Sequence, residues 1–437
     1  MKAYEKIIKR LKEHGKEGYL VGGCVRDFLL SKEPFDYDIA TNARPEEFQE
    51  IFSGFRVIET GIKHGTVTVL CDGQAFEVTT YRIDGEYTDG RHPDSVAFSE
   101  ELSEDLKRRD FTVNAMAMTE EGRVIDLFGG REDLKNGIIR AVGDPEKRFE
   151  EDALRILRAV RFASVLGFQI EKETEEAAYR LLGRIDLVSR ERCFSELKKA
   201  LCGKAIKETL CRYPQIFASV IPELAPMINY DQMNPHHCYD LLTHTAIALE
   251  NIPPKPHLRL AALFHDTGKP HTRHFDEAGV AHYFGHAAKS AELADARLRA
   301  LRSDNKTREE TVFLVKHHDA PAETEKEQVA RKIRKYGIDR YRSLLLLRRA
   351  DNLAQAEEYH RVELHDLCEQ YAQEILDEER CFSLRDLAVK GDDLIALGYP
   401  KGPQIGEALN RLFESVFNGE VPNEKGQLLA SLKNDKL

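Results

Sequence analysis

Two aspartates one residue apart, Asp36 and Asp38, sit in the run FDYDIAT. In a β-strand successive side chains alternate faces, so this spacing projects both carboxylates together and turns Tyr37 and Ile39 toward a core. Two carboxylates that close repel unless a cation lies between them. Mg2+ suits the pair, being a hard ion that takes oxygen ligands and keeps positions open for phosphate oxygens. A two-metal arrangement would make a hydroxyl a better nucleophile and stabilise a departing pyrophosphate. A third carboxylate, Glu77, stands in AFEVTTYR, where alternation puts Glu77, Thr79 and Tyr81 opposite Phe76 and Val78. Taken alone, a DxD pair is a common surface turn and Glu77 an ordinary solvent-facing strand residue. Their context has to decide.

That context begins upstream, in LVGGCVRDFLL. A strand ends at Gly22 and Gly23, and a helix begins near Val25. Glycines let backbone approach a ligand closely, and free amides at a helix start bind phosphate. Arg26 adds a cation for a triphosphate, although Arg26 and Asp27 also read as a solvated ion pair. Farther along, Asp152 and Arg155 are three apart, neighbours on a helix face. A carboxylate accepts from an exocyclic amino group and a guanidinium donates to a ring acceptor. Cytosine and adenine both offer that pattern, whereas guanine and uracil present a carbonyl instead. Glu151–Arg155 and Asp152–Arg155 are equally ordinary helix-stabilising pairs. Arg158 and Arg161 continue the spacing of three, which drifts around the helix, so the four residues cannot share one face.

A second set of chemical groups lies between residues 236 and 351. His265 and Asp266 are adjacent in LAALFHDTGKP, with His244 before them and His286, His317 and Asp351 after them. His237 and His318 are neighbouring alternatives. Imidazoles and carboxylates on several helices can converge on one divalent metal or two, and a metal-activated water would attack a phosphate ester. Single histidines on helices also pack or cap without binding metal.

The elements that must carry these groups change in texture along the chain. Up to about residue 140, β-branched runs between turn residues read as strands: GYLVGG, FDYDIAT, FRVIET, GTVTVL, AFEVTTYR, RVIDLFGG and IIRAVG. Beyond Gly143-Asp144-Pro145 the spacing is helical and little resembles a strand. The polar stretch 83–95 joins two candidate site segments and reads as a functional loop. The expected fold is α+β: a head with a small mixed sheet at 1–140, a helical neck at 141–205, a helical body at 206–380 and a helical tail at 381–437. The 437 residues are 42% hydrophobic and 32% charged, enough for real cores and too apolar for global disorder. No apolar run reaches the length of a membrane span and the first residues lack a signal peptide, so a cytoplasmic protein is expected. Eight scattered cysteines without a CxxC pair read as reduced, mostly buried thiols. A net charge of −11 excludes a surface clothed in positive potential, yet leaves room for a local basic groove at Lys107-Arg108-Arg109 and from Arg140 to Arg161.

LVGGCVRDFLL followed by FDYDIAT resembles the opening of the polymerase-β-like nucleotidyltransferases, specifically the bacterial group of tRNA CCA-adding enzymes and poly(A) polymerases. SEDLKRRDFTVNAMAM (103–118), IDLFGGREDL (125–134) and RFEEDALRILRAVRFASVLGF (148–168) match successive motifs of that group, covering 18–168 almost continuously. The resemblance implies a polymerase-β-like head, Mg2+ at Asp36 and Asp38, Glu77 helping to activate the hydroxyl, and nucleotide contacts from Arg109, Asp152, Arg155, Arg158 and Arg161. It implies tRNA, CTP and ATP as partners, with C, C and A added to a tRNA 3′ end. The loop around Asp84–Asp94 and the tail DLIALGYPKG…NGEVPNEKGQLL fit CCA addition, the tail contacting tRNA away from its end. A poly(A) polymerase with the same head is the alternative. The order H…HD…H…H…D resembles the HD phosphohydrolases, implying Mn, Ni, Co or Fe there. A metal phosphohydrolase with an RNA-binding amino-terminal half is therefore a further alternative.

Overall fold

The computed structural model describes residues 2–62, 65–84, 96–378 and 384–434. Residues 85–95 of the polar loop and Cys381 lie outside the described residues.

The head is built on a mixed seven-stranded sheet, with a separate antiparallel pair, Arg82–Asp84 and Val96–Phe98, beside it. The strands of the sheet are β1 (Tyr19–Val21), β2 (Tyr37–Thr41), β3 (Arg56–Gly61), β4 (Thr66–Cys71), β5 (Gln74–Thr80), β6 (Met116–Met118) and β7 (Val124–Asp126). Their order is β3-β4-β5-β2-β1-β6-β7. Only β2 and β5 pair in parallel; the other neighbours are antiparallel. The helix Ala3–Glu13 packs Tyr4, Ile7, Ile8 and Leu11, an i, i+3, i+4, i+7 stripe, into the head core. The run IIRAVG forms a strand outside this sheet: Ile138–Ile139 pairs in parallel with Gln169–Ile170. Strand β6 falls in a segment without β-branched residues. Met116 and Ala117 are fully buried, so central position rather than propensity makes AMAM a strand.

From Pro145 onward the chain is nearly all helix. The exceptions are Gln169–Ile170 and a small hairpin, His274–Phe275 with Ala281–His282. One apolar core runs from Tyr4 in the head to Ala350 in the body. The tail has its own core, including Leu387, Leu394, Leu412, Phe413 and Leu428. Among the described residues all seven cysteines are free; four are buried, while Cys211 and Cys238 are exposed. No described helix is long and apolar enough to cross a membrane.

Candidate active site and candidate metal centre

Asp38 lies on β2 between Tyr37 and Ile39, and Asp36 in the bend just before the strand. Ile39 is fully buried, and the Tyr37 ring packs 5.6 Å from Phe76 and 5.8 Å from Tyr4 between centroids. Asp36 and Asp38 line a cavity of about 580 Å³. Parallel pairing sets Asp38 opposite Glu77 on β5. Glu77 does not line the cavity, and the three carboxylates do not close as a trio within 4.8 Å. Tyr81 keeps the face of Glu77 and Thr79, opposite Phe76 and Val78, but just beyond the end of β5 that face is covered: Tyr81 is fully buried in a cluster with Val21, Ala40 and Leu106 and donates to Glu17 Oε2 at 3.2 Å.

Burial pushes the Asp38 carboxyl up. Arg109 opposes that and the charges of Glu77 and Asp36 add to it, leaving the group at about 6. A divalent cation would reverse the balance, so the donor set fits such an ion. Gly22 makes the close approach possible. At φ 75° a Cβ there would meet Arg109 Nη1 at 2.8 Å and Asp38 Oδ2 at 3.6 Å. Arg109 is held by Asp105 Oδ2 at 3.0 Å.

The helix Gly23–Leu29 starts two residues earlier than its sequence suggests. Arg26 is more than a solvated partner of Asp27. It donates to Asp27 Oδ1 at 2.9 Å and to Asn114 Oδ1 at 2.7 Å, and it lines the cavity with Gly22 and Gly23. Asn114 in turn donates to Asp110 Oδ1 at 3.2 Å, and Arg158 Nε donates to Asp110 Oδ2 at 2.7 Å. Burial alone would raise the Asp110 carboxyl, but Arg158 and the Asn114 bond bring it down to about 2. The chain thus stretches from the phosphate turn to the neck through buried, charge-assisted bonds.

The neck corrects one expectation. Asp152 and Arg155 do not share a helix face, because the helix breaks between them. Pro145–Glu151 ends at Asp152, which is extended (φ −144°, ψ 103°), and Leu154–Leu166 begins anew. Asp152 Oδ1 accepts from the Leu154 amide at 3.0 Å and Oδ2 from Arg192 Nη2 at 2.7 Å. Arg155 is buried and donates to Glu151 Oε2, Arg148 O and Arg108 O at 2.6, 2.9 and 3.0 Å. Arg161 pairs with Glu196 at 2.8 Å and lies 3.9 Å over the Phe162 ring. Even so, Asp152, Arg155, Arg158 and Arg161 all line the same cavity as Asp36 and Asp38. Eight arginines and four aspartates surround it, a local basic basin in an acidic chain. Sequence reasoning missed Asn114, Asp110 and Arg192. Arg192 lies forty residues from Asp152, and no local pattern links them.

The histidines converge on a second centre. His244 Nε2 is 2.9 Å from Asp351 Oδ1, 3.4 Å from His265 Nε2 and 3.5 Å from Asp266 Oδ2. The other oxygen, Asp266 Oδ1, is 3.3 Å from His286 Nε2 and 3.7 Å from His318 Nε2. Asp266 therefore joins two ligand groups, His244/His265/Asp351 and His286/His318. His318, not His317, completes the second group. Consecutive helical residues point about 100° apart, and His317 turns away to pack on Phe313 and Tyr336 at 4.8 and 5.1 Å. His237 stands beside the cluster, 5.0 Å from His244 ring to ring.

Each of the four histidines is held by its other nitrogen. Nδ1 of His244, His265, His286 and His318 lies 2.7 to 3.0 Å from the carbonyls of Ala354, Ala262, Tyr283 and Val315. Protonated Nδ1 donating to a carbonyl leaves an Nε2 lone pair aimed inward, as metal ligands require. Buried Asp266 Oδ2 receives no well-aligned hydrogen bond, although Lys269 Nζ is 2.8 Å away. Burial would push the His265 imidazole down, yet Asp266 and Asp351 push it up to about 10. The cluster calls for positive charge at its centre, and divalent cations fit it. Lys269, three residues after Asp266 in HDTGKP, opens a new short helix after the turn 265–268, and it is this turn that brings the two together.

Residues 18–140 match the family described as Poly A polymerase head domain. Residues 167–228 match the probable RNA and SrmB-binding site of polymerase A, and 280–432 the putative tRNA nucleotidyltransferase domain 2. The chain is 37% identical to the CCA-adding enzyme of Geobacillus stearothermophilus over 98% of its own length and 95% of the relative's. It is 36% identical to the Geobacillus kaustophilus enzyme over the same shares. It superposes on the Bacillus stearothermophilus CCA-adding enzyme in complex with CTP with TM-score 0.71 and 33% identity, covering 100% and 98% of the two chains. The Thermotoga maritima enzyme complexed with tRNA shares the fold, at TM-score 0.58 and 22% identity over 98% and 94%. The expected α+β architecture is the observed one, and on identity sustained from end to end this chain belongs to the family of CCA-adding enzymes.

Proposed function

We propose that this chain completes tRNA 3′ ends in the cytoplasm, adding C, C and A from CTP and ATP with release of pyrophosphate. One observation carries the proposal: a single basic cavity joins the Asp36/Asp38 pair to Asp152 and Arg155. A divalent ion held by Asp36 and Asp38, Mg2+ by its preference for oxygen, neutralises phosphate charge when bound. Arg26 and Arg109 hold the triphosphate beside the Gly22–Gly23 turn. Asp152, oriented by Arg192, accepts the exocyclic amino proton of cytosine or adenine, and Arg155 faces the ring acceptor. Arg158 and Arg161 complete the basic wall. Glu77 stands one strand away and acts on the primer hydroxyl only if substrate draws it inward. The neck selects the base, and the tail steadies tRNA away from its end. Asp36→Ala and Asp38→Ala should each cut nucleotide incorporation by on the order of a thousandfold, the value of several kcal/mol of charge stabilisation. Undiminished incorporation would transfer the activity elsewhere in the molecule.

A second reading has its own observation, four histidines locked at Nδ1 around a bridging Asp266. We infer that His244, His265, Asp266, His286, His318 and Asp351 hold one or two transition-metal ions, such as Mn, Ni, Co or Fe, in an HD-type phosphohydrolase centre. Nitrogen-rich donors favour those metals over Mg2+.

A further inference from the structure

Between the HD pair and His286 the chain makes a short hairpin whose aromatic rings face outward. His274 pairs antiparallel with His282, and Phe284 joins them. The three ring centroids are 4.9 to 5.7 Å apart, with planes 4° to 32° from parallel, so the rings pack as an offset stack. Phe284 is 76% exposed and Phe275 on the same hairpin 48%. Arg273, where the hairpin begins, stacks 4.6 Å over Tyr230 and 5.4 Å over Phe275.

The hairpin is fastened to the His/Asp cluster on every side. Only Gly285, at φ 80°, separates Phe284 from His286, and His286 Nδ1 bonds the Tyr283 carbonyl at 2.8 Å. Lys269, just ahead of Arg273, touches Asp266 Oδ2 at 2.8 Å and His237 Nε2 at 3.3 Å. Asn234 donates to the Ala281 carbonyl at 2.8 Å, tying in the loop that carries His237.

An exposed ring, Phe284, on a stack of near-parallel rings beside cationic side chains suits a nucleobase, which stacks with little regard to its identity. A bare phosphate ester or a phosphopeptide would leave that ring unused. The geometry points to the 273–284 hairpin as a base-stacking platform that presents nucleoside phosphates to the His/Asp cluster, free or at the 3′ end of RNA. Hydrolysis of the bound ester rests on the phosphohydrolase reading of that cluster. With a 2′,3′-cyclic nucleotide, water's oxygen bonds to phosphorus, one ring P–O bond breaks, and the freed sugar hydroxyl keeps a proton.

The chain contains no tryptophan, so Phe284→Trp carries the single one and reports stacking directly. Adenosine 3′-phosphate should quench its fluorescence saturably, and ribose phosphate without a base should not. An oligoadenylate ending in a 3′-phosphate that quenches at lower concentration assigns the RNA end; equal potency assigns the free nucleotide. In parallel, the Mn2+-loaded wild type should cleave 2′,3′-cyclic AMP about fivefold or more faster in kcat/KM than Phe284→Ala, with Phe284→Trp restoring the rate. A base-free methyl riboside cyclic phosphate should be cleaved equally by all three. Absence of quenching, quenching by ribose phosphate, or equal losses on both substrates overturns the platform. Saturable quenching without any hydrolysis keeps the platform and removes the phosphohydrolase reading.

Discussion

At the scale of single residues, the Asp152 carboxylate of the neck is held from two sides. Arg192 holds Asp152 Oδ2 at 2.7 Å, and the Leu154 amide holds Oδ1 at 3.0 Å. The carboxylate proposed to read the base is thereby held at both oxygens. A charge-assisted bond of this kind is worth roughly 1.5–3 kcal/mol, so Arg192→Ala should raise KM for CTP and ATP about tenfold or more. UTP misincorporation should rise with it, while Arg192→Lys recovers part of the loss. An unchanged ratio of CTP to UTP use would show that Asp152 needs no such support. Asp110 sets the pH behaviour of the neighbouring wall. Its ordinary value is 3.8 and its folded value about 2. A depressed carboxylate stabilises the fold above the unfolded value and loses that contribution as pH falls through the folded one. The contribution, roughly 2 kcal/mol by linkage, is present above about pH 4 and gone near pH 2. Asp110→Asn should flatten that part of the acid limb in denaturation curves recorded from pH 5 to pH 2.

At the scale of elements, backbone spacing and close packing decide which side chains meet. Strand β2 was readable because period-two alternation fixes faces locally across Tyr37, Asp38 and Ile39, although Phe35 before it is exposed and Ala40 and Thr41 after it are buried on both faces. The break at Asp152 was not readable. RFEEDALRILRAV has unbroken helical spacing, and it is Arg192, far away in sequence, that captures the carboxylate. Strand β6 was hidden because Met and Ala carry no strand signal when tertiary burial decides. His318 could not be ranked over His317, since adjacent residues near a helix end differ only in direction. Gly268 shows how tight the frame of the His/Asp cluster is. A Cβ there would sit 2.4 Å from the His286 carbonyl oxygen and 2.8 Å from the Ser290 amide. Gly268→Ala should therefore push helix His286–Ala300 outward and weaken Mn2+ binding about tenfold or more by calorimetry, since misplacing orienting partners costs roughly 10- to 100-fold. His265→Ala should abolish that binding. Wild-type Mn2+ affinity in both variants would leave the histidines as packing alone.

Across the whole molecule, one apolar core runs from the head through the neck to the body, whereas the tail has a core of its own and adds Phe417 to a third core with Tyr341, Cys368 and Ile375 of the body. The neck helix Leu154–Leu166 belongs to that shared core, with Ile156, Ala159 and Ala163 fully buried. The proposed base-selecting neck and the Asp36/Asp38 pair of the head thus belong to one packed unit. The net charge of −11 is compatible with RNA work because the arginines gather around one cavity. The most direct test supplies a tRNA transcript ending just before CCA, with CTP and ATP separately and together, and resolves products to single nucleotides. Two additions are expected with CTP alone, three with both, and then a halt. A long adenylate tail from ATP alone, or no extension, would overturn the assignment.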